Sequence, residues 1–365
     1  MLEGNEDFRK KSKSYIQFQN EIYLYEKILP FFKNFLKNKE TTFNPDNWIP
    51  KTYVNICLET SNVQRETILV QENLKASGFS TFEKLYLTES HFDLMIDNLA
   101  QFHSVSLALK ISKNQKFTNL VKNLKPLSFE DPNGEKCVYD VLHEISTTRL
   151  FKNVLEAQNL DEKVLRDVQQ LQRKVGSSPV KLFDTFREID DFSVIVHGDF
   201  NRNNLMFKQD SNFLEMRMID FQQVRFASPC LDLAFFMYVN IDPAERNKLW
   251  EKLLLKYHEK LLTYITEILK IEKDDFRLKP LNLENFLEHC KKKFLYGLLI
   301  TVSFTPWLIA PQAETQKVGK LFQANMFDVK YREFALHVGG EKANRRMVED
   351  VQHASRMGYF DICYE

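Results

Sequence analysis

Between Val194 and Phe221 the chain reads strand, loop, strand, loop, strand, and polar residues stand where the apolar runs end. Val194-Ile195-Val196 leads into His197-Gly198-Asp199-Phe200-Asn201-Arg202-Asn203-Asn204; Leu205 to Phe207 is a short apolar stretch, and Met216 to Ile219 delivers Asp220 and Phe221. Short β-branched and apolar runs punctuated by Gly, Asn and Asp are the pattern of strands joined by tight loops. Such a fold brings Asp199, Asn204 and Asp220 to neighbouring loops. An amide oxygen and a carboxylate there are hard oxygen ligands of the kind Mg²⁺ accepts, with water and phosphate oxygens completing its octahedron. A further carboxylate, Asp199, can take the proton of an incoming hydroxyl. Base, amide ligand and carboxylate ligand together make the arrangement that supports phosphoryl transfer.

The remaining composition bounds the answer. A chain of 365 residues is long enough for two lobes or two domains with sizeable cores. Lys+Arg and Asp+Glu both number 50, so no net field favours nucleic acid or an anionic membrane. The 31 Phe residues are mostly core material, with some available to line an apolar substrate pocket. Cys57, Cys137, Cys230, Cys290 and Cys363 are scattered, odd in number and without metal spacing, which reads as a reduced, cytoplasmic protein. Met1 to Asn20 is charged and polar, unlike a secretory leader. The apolar run Phe294 to Ala310 falls short of the roughly 20 residues a membrane span needs, and reads as a buried helix ending near Pro306.

Taken in order, residues 14 to 37 carry Ile16, Tyr23, Leu24, Ile28, Leu29 and Phe32 at helical spacing, with Pro30 expected to break or kink the helix. Lys51 to Leu58 alternates as a half-buried strand, Thr60 to Asn62 turns, and Glu66 to Glu72 returns as its hairpin partner. Ser90 caps a helix through Lys110, within which His103 reads as a packed histidine, not a ligand. Leu124 to Gly134 is loop, with a turn at Asp131-Pro132-Asn133-Gly134. Helices are expected over Cys137 to Gln158 and Glu162 to Val175, the second ended by Gly176-Ser177-Ser178-Pro179. Asp232 starts an apolar helix, and Asp242-Pro243 starts another that runs to about Ile271. Leu283 to Leu308 is a third apolar helix, and Lys342 to Met357 a last one after Val338-Gly339-Gly340.

The motifs together resemble a known family. His197-x-Asp199-x4-Asn204 followed by Ile219-Asp220 is similar to the catalytic core of the aminoglycoside phosphotransferase/choline kinase group within the protein kinase-like fold. Ile219-Asp220-Phe221-Gln222, Ser228-Pro229-Cys230-Leu231-Asp232-Leu233, Glu21-Ile22-x-x-Tyr25-x-x-x-Leu29-Pro30 and Ile68-Leu69-Val70-x-Glu72-x-Leu74 narrow it to the ecdysteroid kinase-like (CHK kinase-like) family, from about residue 15 to the C-terminus. The resemblance implies an α+β, two-lobe fold. Residues 1–73 would be the remnant of a small β-rich lobe, and 74–365 a large, mostly helical lobe bearing the catalytic loop and metal site.

It also assigns roles. Asp199 becomes the catalytic base, with His197 bracing the loop by hydrogen bonding in preference to titrating. Asn204 and Asp220 become Mg²⁺ ligands, and Asp232 a support that holds the catalytic loop. Backbone groups of Gln71, Glu72 and Asn73 become the hinge that meets the adenine of ATP. Glu21 becomes the carboxylate that pairs with a strand lysine, its alternative being a solvated helix face. Arg202 is either a phosphate contact or a solvated arginine.

Two departures stand out. The residues before Glu21 contain only Gly4 as a glycine, and Lys10, Lys11 and Lys13 lie in a charged run with no strand pattern. A glycine-containing turn over the phosphates and a strand bearing the lysine are therefore missing relative to the family. Asn201 stands where the family usually has Trp. Two hypotheses follow. One is an ATP- and Mg²⁺-dependent kinase acting on a hydroxyl of an ecdysteroid, another sterol-like alcohol or a xenobiotic. The other is a kinase-like protein, catalytically impaired, that binds a ligand or partner. Neither involves nucleic acid or membrane insertion.

Overall fold

The helix Cys230–Asn240 has no exposed side: all of its residues are buried. Its sequence explains this, since Leu231, Leu233, Ala234, Phe235, Phe236, Met237 and Val239 leave no polar stripe to face water. It forms the centre of a computed structural model that describes residues 6–57, 67–125, 137–176, 179–210 and 213–365. The expected turns at Thr60 to Asn62 and Asp131 to Gly134, and most of the gap after Gly176, lie outside the described residues.

The order is α1 (Glu6–Lys11), α2 (Ser14–Tyr23) and α3 (Leu29–Leu36), then a hairpin of β1 (Thr52–Cys57) and β2 (Thr67–Gln71). Helices α4 (Glu89–Ile111), α5 (Gln115–Lys122), α6 (Val138–Leu155), α7 (Glu162–Val175) and α8 (Pro179–Phe186) follow. Then come β3 (Val194–Val196), β4 (Leu205–Gln209), β5 (Leu214–Met218) and β6 (Arg225–Ala227). The chain ends in α9 (Cys230–Asn240), α10 (Pro243–Leu269), α11 (Leu283–Lys293), α12 (Leu295–Ile309), α13 (Gln312–Asn325), α14 (Val329–Ala335) and α15 (Gly340–Arg356). This is the α+β class expected, with a small β-bearing part and a large helical part.

Among the described residues the strands form three antiparallel pairs: β1 with β2, β3 with β6, and β4 with β5. The register Val194↔Ala227 and Leu205↔Met218 sets β3 and β4 so that their loops open together. A bridge from Ser80 to Phe207 and a hydrogen bond from Met218 N to Trp48 O (2.7 Å) tie these pairs to the segments around the hinge. Trp48 is fully buried, donates Nε1–H to Gln101 Oε1 (3.0 Å), and packs between Phe43 and Phe102. Each such buried aromatic contributes about 1.5–3 kcal/mol of burial. One continuous apolar core includes Leu24 and Phe32 from the first helices and Tyr359 and Cys363 from the last turns.

Several expectations need correction. The helix over 14 to 37 is not broken by Pro30. It continues past Pro30, but through a π-helical turn at Leu24–Ile28 just before it, a local distortion of the kind that accompanies a kink. The hairpin covers one face only partly: Val54, Ile56, Ile68 and Val70 share a face that meets water and Tyr53 is exposed too, while Leu69, paired with Asn55 on the other face, packs against the core. The cap of α4 is Thr88, not Ser90. The apolar stretch from Leu283 is two helices, α11 and α12, separated at Phe294. Pro306 lies inside α12, which continues to Ile309. The close crossing of α9 and α12 depends on Gly297, where a Cβ would lie 2.5 Å from Ala234. Helices α5, α8, α13 and α14 were not anticipated. Cys137, Cys230, Cys290 and Cys363 are free thiols, with Cys230 and Cys290 sulfurs 3.6 Å apart. Among the described residues no helix is long and apolar enough to cross a membrane.

Candidate active site

Strand β3 ends at Val196, and the next two residues are held by one carboxylate. Asp232, in the first turn of α9, accepts from His197 N (2.7 Å) and Gly198 N (2.8 Å). Gly198 has φ +82°, and a Cβ there would lie 2.0 Å from Gln223 O, so only glycine fits. Asp232 is itself met by His103 Nε2 at 3.3 Å, whose Nδ1 lies 2.8 Å from Tyr257 Oη. Burial alone would push the Asp232 carboxyl up, but His103 and the loop N–H groups outweigh it and hold it low. A buried carboxylate with this many donors is a rigid anchor.

His197 is fully buried, stacks on Phe221 with 4.3 Å between ring centroids, and its Nε2 lies 3.0 Å from Ile219 O. Burial holds it below the usual imidazole range, Asp232 and Asp220 opposing. Its contacts join one loop to the other, and it is buried away from solvent.

The 3₁₀ turn Arg202–Asn204 then folds back on Asp199. Asn204 Nδ2 donates to Asp199 Oδ2 (2.7 Å) and Asp199 O (2.9 Å). Asn201 Nδ2 donates to Asp199 Oδ1 (2.9 Å), while its own Oδ1 accepts from Asn203 N (3.0 Å) and caps the turn. The carboxylate is thus gripped at both oxygens. Burial pushes it up to about 7; the Asn204 hydrogen bond opposes that and Asp220 adds to it. A carboxyl poised there suits a general base near neutral pH.

Asp220 sits at φ +62°, a left-handed conformation that costs a non-glycine residue about 1–3 kcal/mol. It is held there because Ile219 N bonds Asn204 O (2.9 Å) and Phe221 N bonds Glu21 Oε1 (3.0 Å). Burial raises Asp220 above the usual carboxylate range, with His197 opposing. Burial, then the charge of Asp220, pushes Glu21 up to about 7. No lysine or arginine pairs with Glu21 among the described residues. Glu21 is therefore no solvated helix face, but its partner on this chain is a backbone N–H.

Asp220 and Glu21 line a cavity of about 440 Å³ together with Gln71, Glu72, Asn73, Leu74, Lys75, Pro50, Met206 and Ile219. The structure thus brings the hinge stretch, Glu21 and Asp220 to one cleft. Asp199, His197 and Asn204 do not line it; they lie behind Asp220 on the adjoining loop. Along the stretch expected to be a hinge, Glu72 N donates to Lys51 O and Asn73 O accepts from Ala76 N, while Glu72 O and Asn73 N make no such bond among the described residues.

The donor set fits a hard cation. Because Asn204 turns its Nδ2 to Asp199, its Oδ1 faces away and accepts no hydrogen bond among the described residues. With the Asp220 carboxylate it makes an oxygen-only pair of the kind Mg²⁺ accepts. No cluster of three or more His, Cys, Asp or Glu side chains occurs among the described residues, so water and phosphate oxygens would supply the remaining positions.

Arg202 is half-buried. Its Nη1 donates to the carbonyls of Phe82 (3.1 Å) and Lys84 (2.5 Å) and fixes the segment after the hinge. Sequence reasoning missed three contributors: His103 and Tyr257 behind Asp232, and Asn201 on the base. For His103, its place on a helix face otherwise filled by apolar residues was the available signal; Tyr257 had none.

The description of the Ecdysteroid kinase-like family matches residues 1–270. No curated protein matches the sequence. Among solved structures, an ethanolamine kinase of Plasmodium vivax is similar at 15% identity over 91% of this chain and 72% of its own, with a TM-score of 0.37. A choline kinase of Cryptosporidium parvum is similar at 14% identity over 93% and 82%, TM-score 0.34. An aminoglycoside phosphotransferase solved with ADP is similar at 13% identity over 89% and 84%, TM-score 0.27.

Proposed function

The chain belongs to the ecdysteroid kinase-like family, with its protein kinase-like fold, and on that premise we propose that it is a small-molecule kinase using Mg²⁺-ATP. Its acceptor is a hydroxyl of an ecdysteroid, another sterol-like alcohol or a xenobiotic. The observation that carries the reading is the grip of Asn204 and Asn201 on Asp199, one loop away from Asp220 in the cleft.

The residues divide the work as follows. Asp199 orients the acceptor hydroxyl and takes its proton, each of its oxygens held by one amide N–H. Asn204 Oδ1 and the Asp220 carboxylate hold Mg²⁺, which when bound neutralises charge on the transferring phosphoryl group. His197 and Asp232 keep the two loops in register. Glu72 O and Asn73 N meet the nucleotide base. Residues 1–73 act as the remnant of the small lobe and 74–365 as the large lobe. A cytoplasmic setting is consistent with the free thiols.

A second reading has its own support. Among the described residues no lysine or arginine pairs with Glu21 to hold a nucleotide phosphate, and such a chain can bind a ligand or partner without turning over. The test is phosphoryl transfer from γ-labelled ATP, with Mg²⁺, to an ecdysteroid, a sterol, a xenobiotic alcohol and choline. Transfer to a sterol-like alcohol, abolished in Asp199→Asn, supports the first reading. Mg²⁺-ATP binding with no transfer to any acceptor supports the second.

A further inference from the structure

Helix α15 carries Lys342, Arg345, Arg346, Glu349, His353 and Arg356 at three- and four-residue steps, which places them on one face. That face does not pack into the core along its whole width. With Leu85, Tyr86, Ile309 and the start of α10 (Asp242, Pro243, Ala244, Arg246) it encloses a cavity of about 490 Å³. The cavity shares no residue with the Asp220 cleft.

Its floor holds two buried guanidiniums against one carboxylate. Arg346 Nε (2.9 Å) and Arg246 Nη2 (2.5 Å) both meet Asp350 Oδ1. Arg346 is further fixed by Tyr86 Oη (2.7 Å) and the carbonyls of Tyr238 and Ile241. Arg246 is 2% exposed, lies over the Tyr238 and Trp250 rings, and its Nε has no hydrogen-bond partner. One positive charge in the floor is therefore left without a counter-charge, and a buried uncompensated charge is costly. Around the rim Lys342, Arg345 and Arg356 are exposed. The acidic groups facing them are Glu349 and Asp242, and Asp242 Oδ1 is engaged by Ala244 N at the cap of α10. His353, beside Arg246 and Arg356, is buried and held well below the usual imidazole range, so it adds no charge.

We propose that this cavity, between α10, α15 and Leu85–Tyr86, binds the phosphate group of a small ligand. Five cationic side chains line it against two carboxylates, Asp242 and Glu349. Guanidinium forks match phosphate oxygens in geometry as well as charge. The volume lies within the range of small-molecule sites, about 300–1,000 Å³. A ligand there contacts Tyr86, which follows the carbonyls of Phe82 and Lys84 that Arg202 holds from the catalytic loop.

The test uses the whole chain in EDTA, which removes Mg²⁺-dependent binding at the cleft. Inorganic phosphate and pyrophosphate are titrated by calorimetry, and vesicles containing phosphatidic acid are assayed by co-sedimentation. The wild type, Lys342→Gln/Arg345→Gln, Asp220→Asn and Lys273→Gln are compared. Lys342 and Arg345 are exposed on the rim, and Lys273, exposed in the segment after α10, does not line the cavity. We expect binding of at least one probe, weakened roughly tenfold or more in the rim double variant and unchanged in Asp220→Asn and Lys273→Gln. Pyrophosphate binding assigns a soluble phosphate, and vesicle binding without it assigns a lipid headgroup. No binding of any probe, or binding that survives the double variant, overturns the proposal.

Discussion

The side-chain amide of Asn204 lies 2.7 Å from Oδ2 of Asp199, and its Nδ2 also reaches the Asp199 carbonyl oxygen at 2.9 Å. One residue therefore orients the base with its nitrogen and presents its oxygen to the cation site. This links the two halves of the proposed chemistry through a single planar group. Asp199→Asn is expected to leave Mg²⁺-ATP affinity nearly unchanged and to lower turnover by about 10²–10⁴-fold, the range for losing a general base. Steady-state kinetics beside a direct nucleotide titration check it, and wild-type turnover would remove Asp199 from its role.

Asn201 fixes the other oxygen of the base and caps the 3₁₀ turn. Asn201→Ala should cost about 1 kcal/mol of stability, the usual value of a lost cap. It should also reduce kcat while the KM for ATP stays the same, because the nucleotide cleft does not include it. An unchanged kcat would mean that Asn204 alone positions Asp199.

Asp232 accepts from two backbone N–H groups of the catalytic loop. Asp232→Ala leaves both without an acceptor, at about 1–3 kcal/mol each. Urea unfolding should show a loss of about 2–6 kcal/mol, and a loss under 1 kcal/mol would contradict the anchoring role.

Glu21 and Asp199 both have carboxyls pushed up to about 7 by burial. The unfolded chain releases these protons near pH 4, so between about pH 4 and 7 the folded state holds more protons. Stability is then fully present below that window and falls as pH rises through it. The urea midpoint of the metal-free protein should drop from pH 5 to pH 8, and Glu21→Gln should recover roughly 2–3 kcal/mol of the decline. A slope identical to the wild type would show that Glu21 does not titrate in this way.

Much of this site was legible from residues 194 to 221, because strand ends and tight loops confine polar groups to few positions. Asp199, Asn204 and Asp220 were read there as candidates, and Asp232 from the start of the apolar helix that follows. His103, which meets Asp232, and Tyr257, which meets His103, were not, since they come from helices far away in sequence and only packing brings them together. The exposure of β1 and β2 was also illegible: alternation announces a strand but not what covers its faces. Gly297 shows the same limit, since its need is created by Ala234 on another helix. The break at Phe294 did carry a signal, Lys291-Lys292-Lys293 in the last turn of α11, which marks a helix end and which the reading of one helix from Leu283 to Leu308 passed over.

The most direct test of the account is the thermal stability of this chain with and without Mg²⁺-ATP, beside Asp220→Asn. At about 100 times its dissociation constant a ligand that binds only the folded state adds roughly 2.7 kcal/mol, a clear rise in melting temperature. The account predicts that rise in the wild type and its loss in Asp220→Asn. No rise, or an equal rise in the variant, would contradict a nucleotide site built around Asp220.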